Sequence, residues 1–206
     1  MAYIWLVILW VIWCALHSAL ISLPVTEWLR RRFPEKFRYY RIFYNLFAVV
    51  SLLPVLFYSY SLGGAAVVAW RGLWLIVPLV LWAAGLFFFV AGGLRYDSLQ
   101  FLGLRQIKNE SACSVLTEDC SLDTGGVLSM VRHPWYTGGM LVVWARPLDA
   151  AALWTNMVVC GYFVVGAVLE ERKLKAGFGR QYEDYQRHVS MFLPFNWVQK
   201  RFLRKN

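Results

Sequence analysis

Two polar segments that could bind a small charged molecule flank a long apolar region in the second half of the chain. The first is RHPWYTG at Arg132 to Gly138, and the second is the acidic pair Glu170-Glu171. Proline is favoured in the first turn of a helix, so a helix is expected to begin at Pro134. The backbone amides of that turn, with Arg132 and His133, would attract a carboxylate or a phosphate. The glutamates accept hydrogen bonds from ammonium groups or ribose hydroxyls. Together the segments predict a pocket with an anion-binding end and a cation-binding end.

A simpler interpretation of the same residues exists. Arg132 and His133 could be anchors at a membrane surface, and Glu170 could pair with Arg172 or Lys173 in water. Each segment taken alone favours this interpretation. Their position at the two ends of one apolar region favours a binding site.

A third group of polar residues lies inside or at the start of apolar regions. His17 and Ser18 lie deep in the first region, and Arg41, Tyr44 and Asn45 open the second. Ionisable groups within a membrane usually face a cavity or a partner. Hydrogen bonding between helices explains Ser18 and Asn45 equally well. His17, nearer the cytosolic end, is predicted to line a substrate chamber.

Four apolar regions must position these residues. They run from Tyr3 to Leu23, from Ile42 to Tyr60, from Leu73 to Leu94 and from Tyr136 to Leu169. A helix needs about 20 apolar residues to cross a bilayer. The last region is interrupted by Arg146, Pro147 and Asp149, which predicts a helical hairpin. Its first arm, of about 11 residues, spans only roughly 16 Å, so it either begins earlier, near Ser129, or stops inside the membrane.

These regions predict an all-α integral membrane protein of about five transmembrane helices. The last two helices form the hairpin, and the pocket lies on the cytosolic side. We expect one membrane domain over residues 1–206. It has three helices within 1–94, a cytosolic loop over 95–135, the hairpin over 136–171 and a basic cytosolic tail over 172–206.

Composition and charge support a membrane protein rather than a nucleic-acid-binding one. Hydrophobic residues make up 59% of the chain and charged residues 16%, whereas soluble domains carry about 25% charged residues. The net charge of +9 is gathered in short segments beside apolar regions, as in cytoplasmic loops that lie on anionic lipid. Membrane lipid is therefore an expected partner, and nucleic acid is not.

The distribution of Lys and Arg also predicts the orientation in the membrane. The segment from Pro24 to Arg41 and the tail after Glu171 are rich in these residues, while the loop from Ser61 to Gly72 carries only Arg71. Positive loops stay in the cytosol. The N-terminus is thus expected outside and the C-terminus in the cytosol.

The four cysteines predict no metal site. Cys14 and Cys160 lie in apolar regions, and Cys113 and Cys120 are separated by six residues in a polar loop. That spacing fits no zinc pattern, and a cytosolic loop keeps its thiols reduced.

The C-terminal half resembles the isoprenylcysteine carboxyl methyltransferase and phospholipid methyltransferase superfamily of integral membrane enzymes. The resemblance rests on RHPWYTG, on the pair EE, and on FGRQYEDYQRHVSMFLP at Phe178 to Pro194, in this order. It implies S-adenosylmethionine as the cofactor. It also implies cofactor contacts from the matching motif residues, which are Arg132, His133, Pro134, Tyr136, Gly138, Glu170 and Glu171.

Shorter motifs narrow the resemblance to the bacterial methanethiol S-methyltransferases. These motifs are His17-Ser18, GLRQ at Gly103 to Gln106, and VSMFLP at Val189 to Pro194. YRIFYN at Tyr40 to Asn45 fits that group and also the NnrU-like membrane proteins. The segment from Asn109 to Asp123 matches neither pattern.

The narrower resemblance implies an enzyme of a bacterial inner membrane. Its expected reaction is methyl transfer to a small or lipid-soluble thiol, such as methanethiol to dimethyl sulfide. The thiol must react as a thiolate, and His17, Arg105 and Gln106 are the candidates for handling it.

Three alternatives share parts of the same pattern. A related methyltransferase could act on isoprenylcysteine or on a phospholipid, which requires a slot open to the bilayer. An NADPH-dependent membrane reductase has a comparable C-terminal pattern but a longer set of helices. A non-enzymatic NnrU-like protein would use the same helices without a cofactor site.

Overall fold

Helices account for all regular secondary structure in the described part of the chain. The computed structural model describes residues 1–95, 98–108 and 121–203, and within them extended residues pair only at two isolated bridges, Val68 with Leu148 and Val131 with Ser190. The all-α prediction is confirmed. The predictions that concern Asn109, Cys113 and Cys120 lie outside the described residues.

The described residues form α-helices of very different lengths. The helices are α1 (Ala2–Leu20), α2 (Leu23–Arg32), α3 (Pro34–Phe37), α4 (Tyr40–Ser61), α5 (Ile76–Gly93), α6 (Ser98–Leu102), α7 (Leu104–Lys108), α8 (Pro134–Trp144), α9 (Ala150–Phe178), α10 (Arg180–His188) and α11 (Phe195–Val198). Single 3-10 turns occupy Gly72–Leu75 and Gly126–Ser129, and a π-helical turn occupies Gln199–Leu203.

Four segments among the described residues are long and apolar enough to cross a bilayer. They are α1, α4, the 3-10 turn together with α5 (Gly72–Gly93), and α9. They correspond to the first three apolar regions of the sequence and to the second arm of the predicted hairpin. The chain is an integral membrane protein, as its composition predicts.

The first arm of the hairpin is the short helix α8. It has 11 residues and covers about 16 Å, roughly half of a bilayer core. Of the two possibilities that the sequence left open, the structure supports the short helix, because Ser129 ends a 3-10 turn. Just before Pro134, the amides of Arg132 and His133 donate to the carbonyls of Ser190 and Met191 at 2.9 and 3.2 Å. That pairing holds the backbone extended and prevents an earlier helix start.

One compact unit contains α1 and α4. It comprises residues 1–68 and 148–159 with the described residues 98–108. Trp13 Nε1 on α1 donates to Ser51 Oγ on α4 at 3.1 Å. The hydroxyls of Ser59 and Thr155 lie 3.1 Å apart and connect α4 to the first turns of α9. Hydrogen bonds of this kind hold helices together in a bilayer, where apolar burial does not.

A second compact unit contains α5, α8, α10 and most of α9. It comprises residues 69–95, 121–147 and 160–203. A Cβ atom at Gly85 would lie 2.6 Å from Val142 Cγ2, and one at Gly138 would lie 2.9 Å from the carbonyl oxygen of Gly85. These two glycines therefore let the backbones of α5 and α8 touch, as small residues do between membrane helices.

Apolar side chains cover the outer face of α4. Leu46, Val50, Leu53 and Phe57 follow a spacing of three or four residues, and each is between 54% and 75% exposed. Three- and four-residue spacing places them on one face of the helix. Such a face is unfavourable in water but is expected where a helix meets lipid chains.

We predict that Gly85→Ala destabilises the protein, because the new methyl group collides with Val142. Overpacking of this kind costs about 1–3 kcal/mol and should lower the melting temperature measured by tryptophan fluorescence in detergent. Gly93→Ala is the matched control on the same helix, since a Cβ atom there meets no atom within 4 Å. Equal melting temperatures for the two variants would contradict the close contact of α5 with α8.

Candidate functional site

A buried ion pair lies at the centre of the second unit. Arg132 Nε lies 2.7 Å from Glu171 Oε1, and both side chains are only 9% exposed. The guanidinium also donates through Nη1 to the carbonyl of Gln186 at 3.2 Å and to the carbonyl of Val189. Nε and Nη1 of Arg132 are thus engaged inside the protein, whereas the sequence predicted that this residue would attract an anion directly.

His133 lies between the two adjacent glutamates. Its Nε2 is 3.1 Å from Glu171 Oε1, and its Nδ1 is 3.5 Å from Glu170 Oε2. Burial alone would lower the pKa of this imidazole, but the hydrogen bonds and negative charges of Glu170 and Glu171 outweigh burial and raise the pKa above its ordinary value. The site therefore favours the imidazolium, which donates from both nitrogens.

The two glutamates occupy different environments although they are neighbours in the chain. Adjacent residues of a helix point about 100° apart. Glu171 points inward, where Arg132, His133 and the side chain of Gln186 donate to its carboxylate. The side chain of Glu170 is 42% exposed. Glu170 is thus the carboxylate of this pair that a ligand can reach.

A stack of aromatic rings extends from His133 toward α9. The His133 and Tyr136 rings are nearly parallel with centroids 5.4 Å apart, and the Tyr136 and Phe163 rings are nearly parallel at 5.3 Å. A Cβ atom at Gly139 would lie 2.7 Å from the Phe163 ring, so the glycine makes room for the last ring. Aromatic faces attract cations and stack on planar rings.

The C-terminal segment fixes the entry to α8. Besides the amide pairing before Pro134, Thr137 Oγ1 donates to the carbonyl of Phe192 at 3.0 Å. Pro134 is buried at the first turn of α8, and Gly138 packs against α5. These two predicted cofactor residues have a clear part in building the site. The motif VSMFLP likewise supplies the backbone against which RHP is aligned.

Three residues of α10 complete the site and were not among the predicted site residues. Tyr182 and Tyr185 are buried, and the Tyr185 hydroxyl donates to the carbonyl of Leu128 at 2.6 Å. Burial raises the pKa of both phenols, so they remain protonated donors. Gln186 contacts Glu171. Their spacing, with Val189, places them on one face of a helix, and that periodicity could have identified them.

The predicted thiol-handling residues belong to the first unit. The His17 ring stacks on Trp13 with centroids 5.0 Å apart, and its Nε2 lies 2.7 Å from the Tyr44 hydroxyl. Arg105 and Gln106 lie on α7. The residues assigned to the cofactor all lie in the second unit.

Two motifs of the first unit pack on each other. Arg41 Nε and Asn45 Nδ2 donate to the carbonyl of Phe101 at 3.2 and 3.1 Å. Gly103 has a φ of +91°, and a Cβ atom there would lie 2.9 Å from Arg41. The glycine of GLRQ is therefore required by both its backbone conformation and its contact with YRIFYN.

The fold and the site together define a class of protein, a membrane-embedded helical protein with a buried charge cluster beside an aromatic stack. No family model matches the chain, and no solved structure matches it. Related sequences identify the class more closely. The chain is 28% identical over 186 residues to the methanethiol S-methyltransferase of Crocosphaera subtropica, covering 87% of this chain and 69% of that protein.

Two further relatives agree with this similarity. The methanethiol S-methyltransferase of Mycobacterium tuberculosis is 29% identical over 189 residues, covering 87% of this chain and 72% of the relative. Protein-S-isoprenylcysteine O-methyltransferase B of Arabidopsis thaliana is 34% identical over 101 residues, 46% of this chain and 47% of that protein. The chain is related to the isoprenylcysteine carboxyl methyltransferase-like membrane methyltransferases, as its motifs predict.

We predict that His133 stabilises the fold most at low pH. Because its pKa is raised in the folded protein, the stabilisation is complete below the ordinary imidazole pKa of about 6.5 and is lost as pH rises through the folded value. The melting temperature of wild type minus that of His133→Gln should therefore decrease as the pH rises above about 6.5.

The control for this experiment is His188→Gln, which removes an exposed histidine of α10. A His133→Gln difference that stays constant across this pH range would contradict the charged histidine at this site.

Proposed function

We propose that this chain is an S-adenosylmethionine-dependent membrane methyltransferase that methylates a small thiol, such as methanethiol to dimethyl sulfide. The observation that carries the proposal is the cluster of Arg132, His133 and the two glutamates, formed by two segments that resemble the motifs of membrane methyltransferases. The similarity to two methanethiol S-methyltransferases over 87% of the chain favours the thiol.

The charges of the cluster suit a ligand that carries both signs. With His133 protonated, the two cations and two carboxylates sum to zero, but they are arranged so that Glu170 alone is well exposed. A neutral site with an exposed carboxylate and aromatic faces fits a sulfonium or ammonium group beside a planar base. S-adenosylmethionine has these features.

The residues then divide into two roles. Glu170 would contact the cofactor directly through its exposed carboxylate, while His133 and the Tyr136 ring stacked on it would form the wall beside that carboxylate. Arg132 and Glu171 would hold His133 in place, while Pro134 and Gly138 set the start of α8 and its contact with α5. When bound, S-adenosylmethionine supplies an electrophilic methyl group that passes to a thiolate as the sulfonium becomes a neutral thioether.

The protein's tasks on the acceptor side are to deprotonate the thiol, align it and exclude water. His17 is our candidate for the proton acceptor, with Arg105 and Gln106 as further candidates for handling the thiol. The hydrogen bond of His17 with Tyr44 and its stacking on Trp13 restrict the rotation of the imidazole, which suits a general base.

The basic segments support a cytosolic position for the site, where a soluble cofactor could reach it. We accordingly propose a bacterial inner membrane location, with the N-terminus outside and the C-terminus inside. The loop between the first two transmembrane helices would then lie on the inner leaflet with α2 and its Arg30, Arg31 and Arg32.

A second candidate function is methylation of an isoprenylated cysteine. The similarity to the Arabidopsis isoprenylcysteine methyltransferase favours it, since that similarity covers 46% of this chain. Such an acceptor carries a long apolar chain, so its active site would need an opening to the bilayer. Methanethiol needs no such opening.

We predict that Glu170→Gln mainly lowers the affinity for S-adenosylmethionine, whereas Glu171→Gln mainly lowers the thermal stability of the protein. Glu170→Gln should raise the dissociation constant for S-adenosylmethionine about tenfold or more, through the loss of one charge-assisted hydrogen bond, and should lower the melting temperature only slightly, since Glu170 is partly exposed. Glu171→Gln leaves Arg132 buried without its anion, which costs about 3–5 kcal/mol, so it should lower the melting temperature.

Isothermal titration and thermal unfolding in detergent measure the two effects. Glu183→Gln on α10 removes an exposed carboxylate and serves as the control. Wild-type affinity in both Glu170→Gln and Glu171→Gln would reject the assignment of this cluster to the cofactor.

We predict that purified protein releases dimethyl sulfide from methanethiol and S-adenosylmethionine faster than it methylates a prenylcysteine analogue or phosphatidylethanolamine. The rate should rise with pH until the bound thiol is ionised, and His17→Ala should shift this profile. Gas chromatography measures the sulfide. Methylation of a lipid substrate with no volatile sulfide would reject the thiol and retain the methyltransferase.

A further inference from the structure

Gln186 joins α10 to the buried ion pair through both its side chain and its backbone. The side-chain Nε2 donates to Glu171 Oε2. The backbone carbonyl accepts a hydrogen bond from Arg132 Nη1 at 3.2 Å. One residue of α10 thus contacts both members of the pair.

The side-chain contact falls on the oxygen of Glu171 that the other donors do not use. Oε1 accepts from Arg132 Nε at 2.7 Å and from His133 Nε2 at 3.1 Å. Donors on Oε1 alone would let the carboxylate turn about its last bond. A donor on Oε2 fixes the plane of the group, and with it the direction in which Oε1 faces the imidazole.

We propose that Gln186 is a positioning residue for this site. It sets the orientation of the Glu171 carboxylate, which aligns His133 and, through Nδ1, the contact of His133 with Glu170. The last step, from Glu170 to the cofactor, rests on the proposed function. The first steps concern contacts within the protein and hold whether or not a cofactor binds.

The position of α10 supports this role. Tyr182, Tyr185 and Val189 are buried in one cluster with Leu174 and Phe178, so the helix is anchored on both sides of Gln186. Its amide then reaches Glu171 from a fixed backbone. A neutral amide also adds a donor without adding a charge to a cluster that is already balanced. Glutamate at this position would place a third carboxylate against Glu171.

Titration of His133 in the cofactor-free protein tests the proposal. The groups that face this imidazole are Glu170, Glu171 and Arg132, and Tyr182 lies close enough to Glu171 to feel the same charges. The chain has three histidines, so carbon-13 labelling of histidine in detergent micelles gives three resonances, which His17→Gln and His188→Gln assign.

Gln186→Leu should move the His133 titration midpoint to lower pH, because Glu171 is no longer held toward the ring. Gln186→Met keeps the length of the side chain and removes the donor, so it should move the midpoint in the same direction. The control is Gln181→Leu, which replaces an exposed glutamine of the same helix and should leave the midpoint unchanged.

Measured binding of S-adenosylmethionine distinguishes the positioning of His133 from its effect on cofactor affinity. Gln186→Leu should raise its dissociation constant about tenfold, and Gln181→Leu should not. Unchanged His133 midpoints in both Gln186 variants would overturn the positioning role, whatever the affinity. A failure of wild type itself to bind S-adenosylmethionine would overturn the proposed function, while the midpoints would still decide the role of Gln186. If Gln186→Leu does not fold, the midpoint of Gln186→Met decides the role alone.

Discussion

The structure of the second unit depends on the burial of one arginine with one glutamate. Burying Arg132 and Glu171 removes two charges from water, and the loss is offset only when every remaining donor and acceptor is also satisfied. The surrounding residues supply partners to Arg132 Nη1 and to both oxygens of Glu171. Carbonyls of Gln186 and Val189 accept from the guanidinium, and His133 and Gln186 donate to the carboxylate. The buried ion pair therefore holds three segments together. They are the RHP segment, the C-terminal part of α9 and α10.

The burial of this ion pair also explains why the two adjacent glutamates have different roles. A helix turns about 100° per residue, so only one of the two can face Arg132. Glu171 completes the buried pair, and Glu170 remains 42% exposed with His133 at 3.5 Å. In the proposed enzyme, Arg132, Glu171 and His133 form a rigid support, and the exposed carboxylate of Glu170 contacts the cofactor. A site organised in advance spends less free energy on ordering its side chains when the ligand binds.

The sequence predicted the elements better than it predicted their contacts. Length and apolarity identified the segments that cross the membrane, because a bilayer imposes a length on a helix. The sequence did not decide where α8 begins, because its start depends on backbone pairing with Ser190 and Met191, more than 50 residues away in the chain. The partner of Arg132 was out of reach for the same reason, because Glu171 lies 39 residues away. Residue types indicate which groups carry charge, whereas pairing depends on packing.

Motif residues also divide into those that can perform chemistry and those that build the surface on which it occurs. Gly103 of GLRQ adopts a φ of +91° against Arg41, and Gly138 of RHPWYTG lets α8 touch α5. Neither glycine has a side chain with which to bind a cofactor or a thiol. Gln186, in contrast, lies inside the longer motif at Phe178 to Pro194, and its side-chain amide donates to the carboxylate of Glu171. Membership in a motif therefore gives a weaker assignment of chemical role than the contacts of the individual side chain. On that basis Glu170, whose carboxylate is exposed, is a stronger candidate for ligand contact than Pro134 or Gly138.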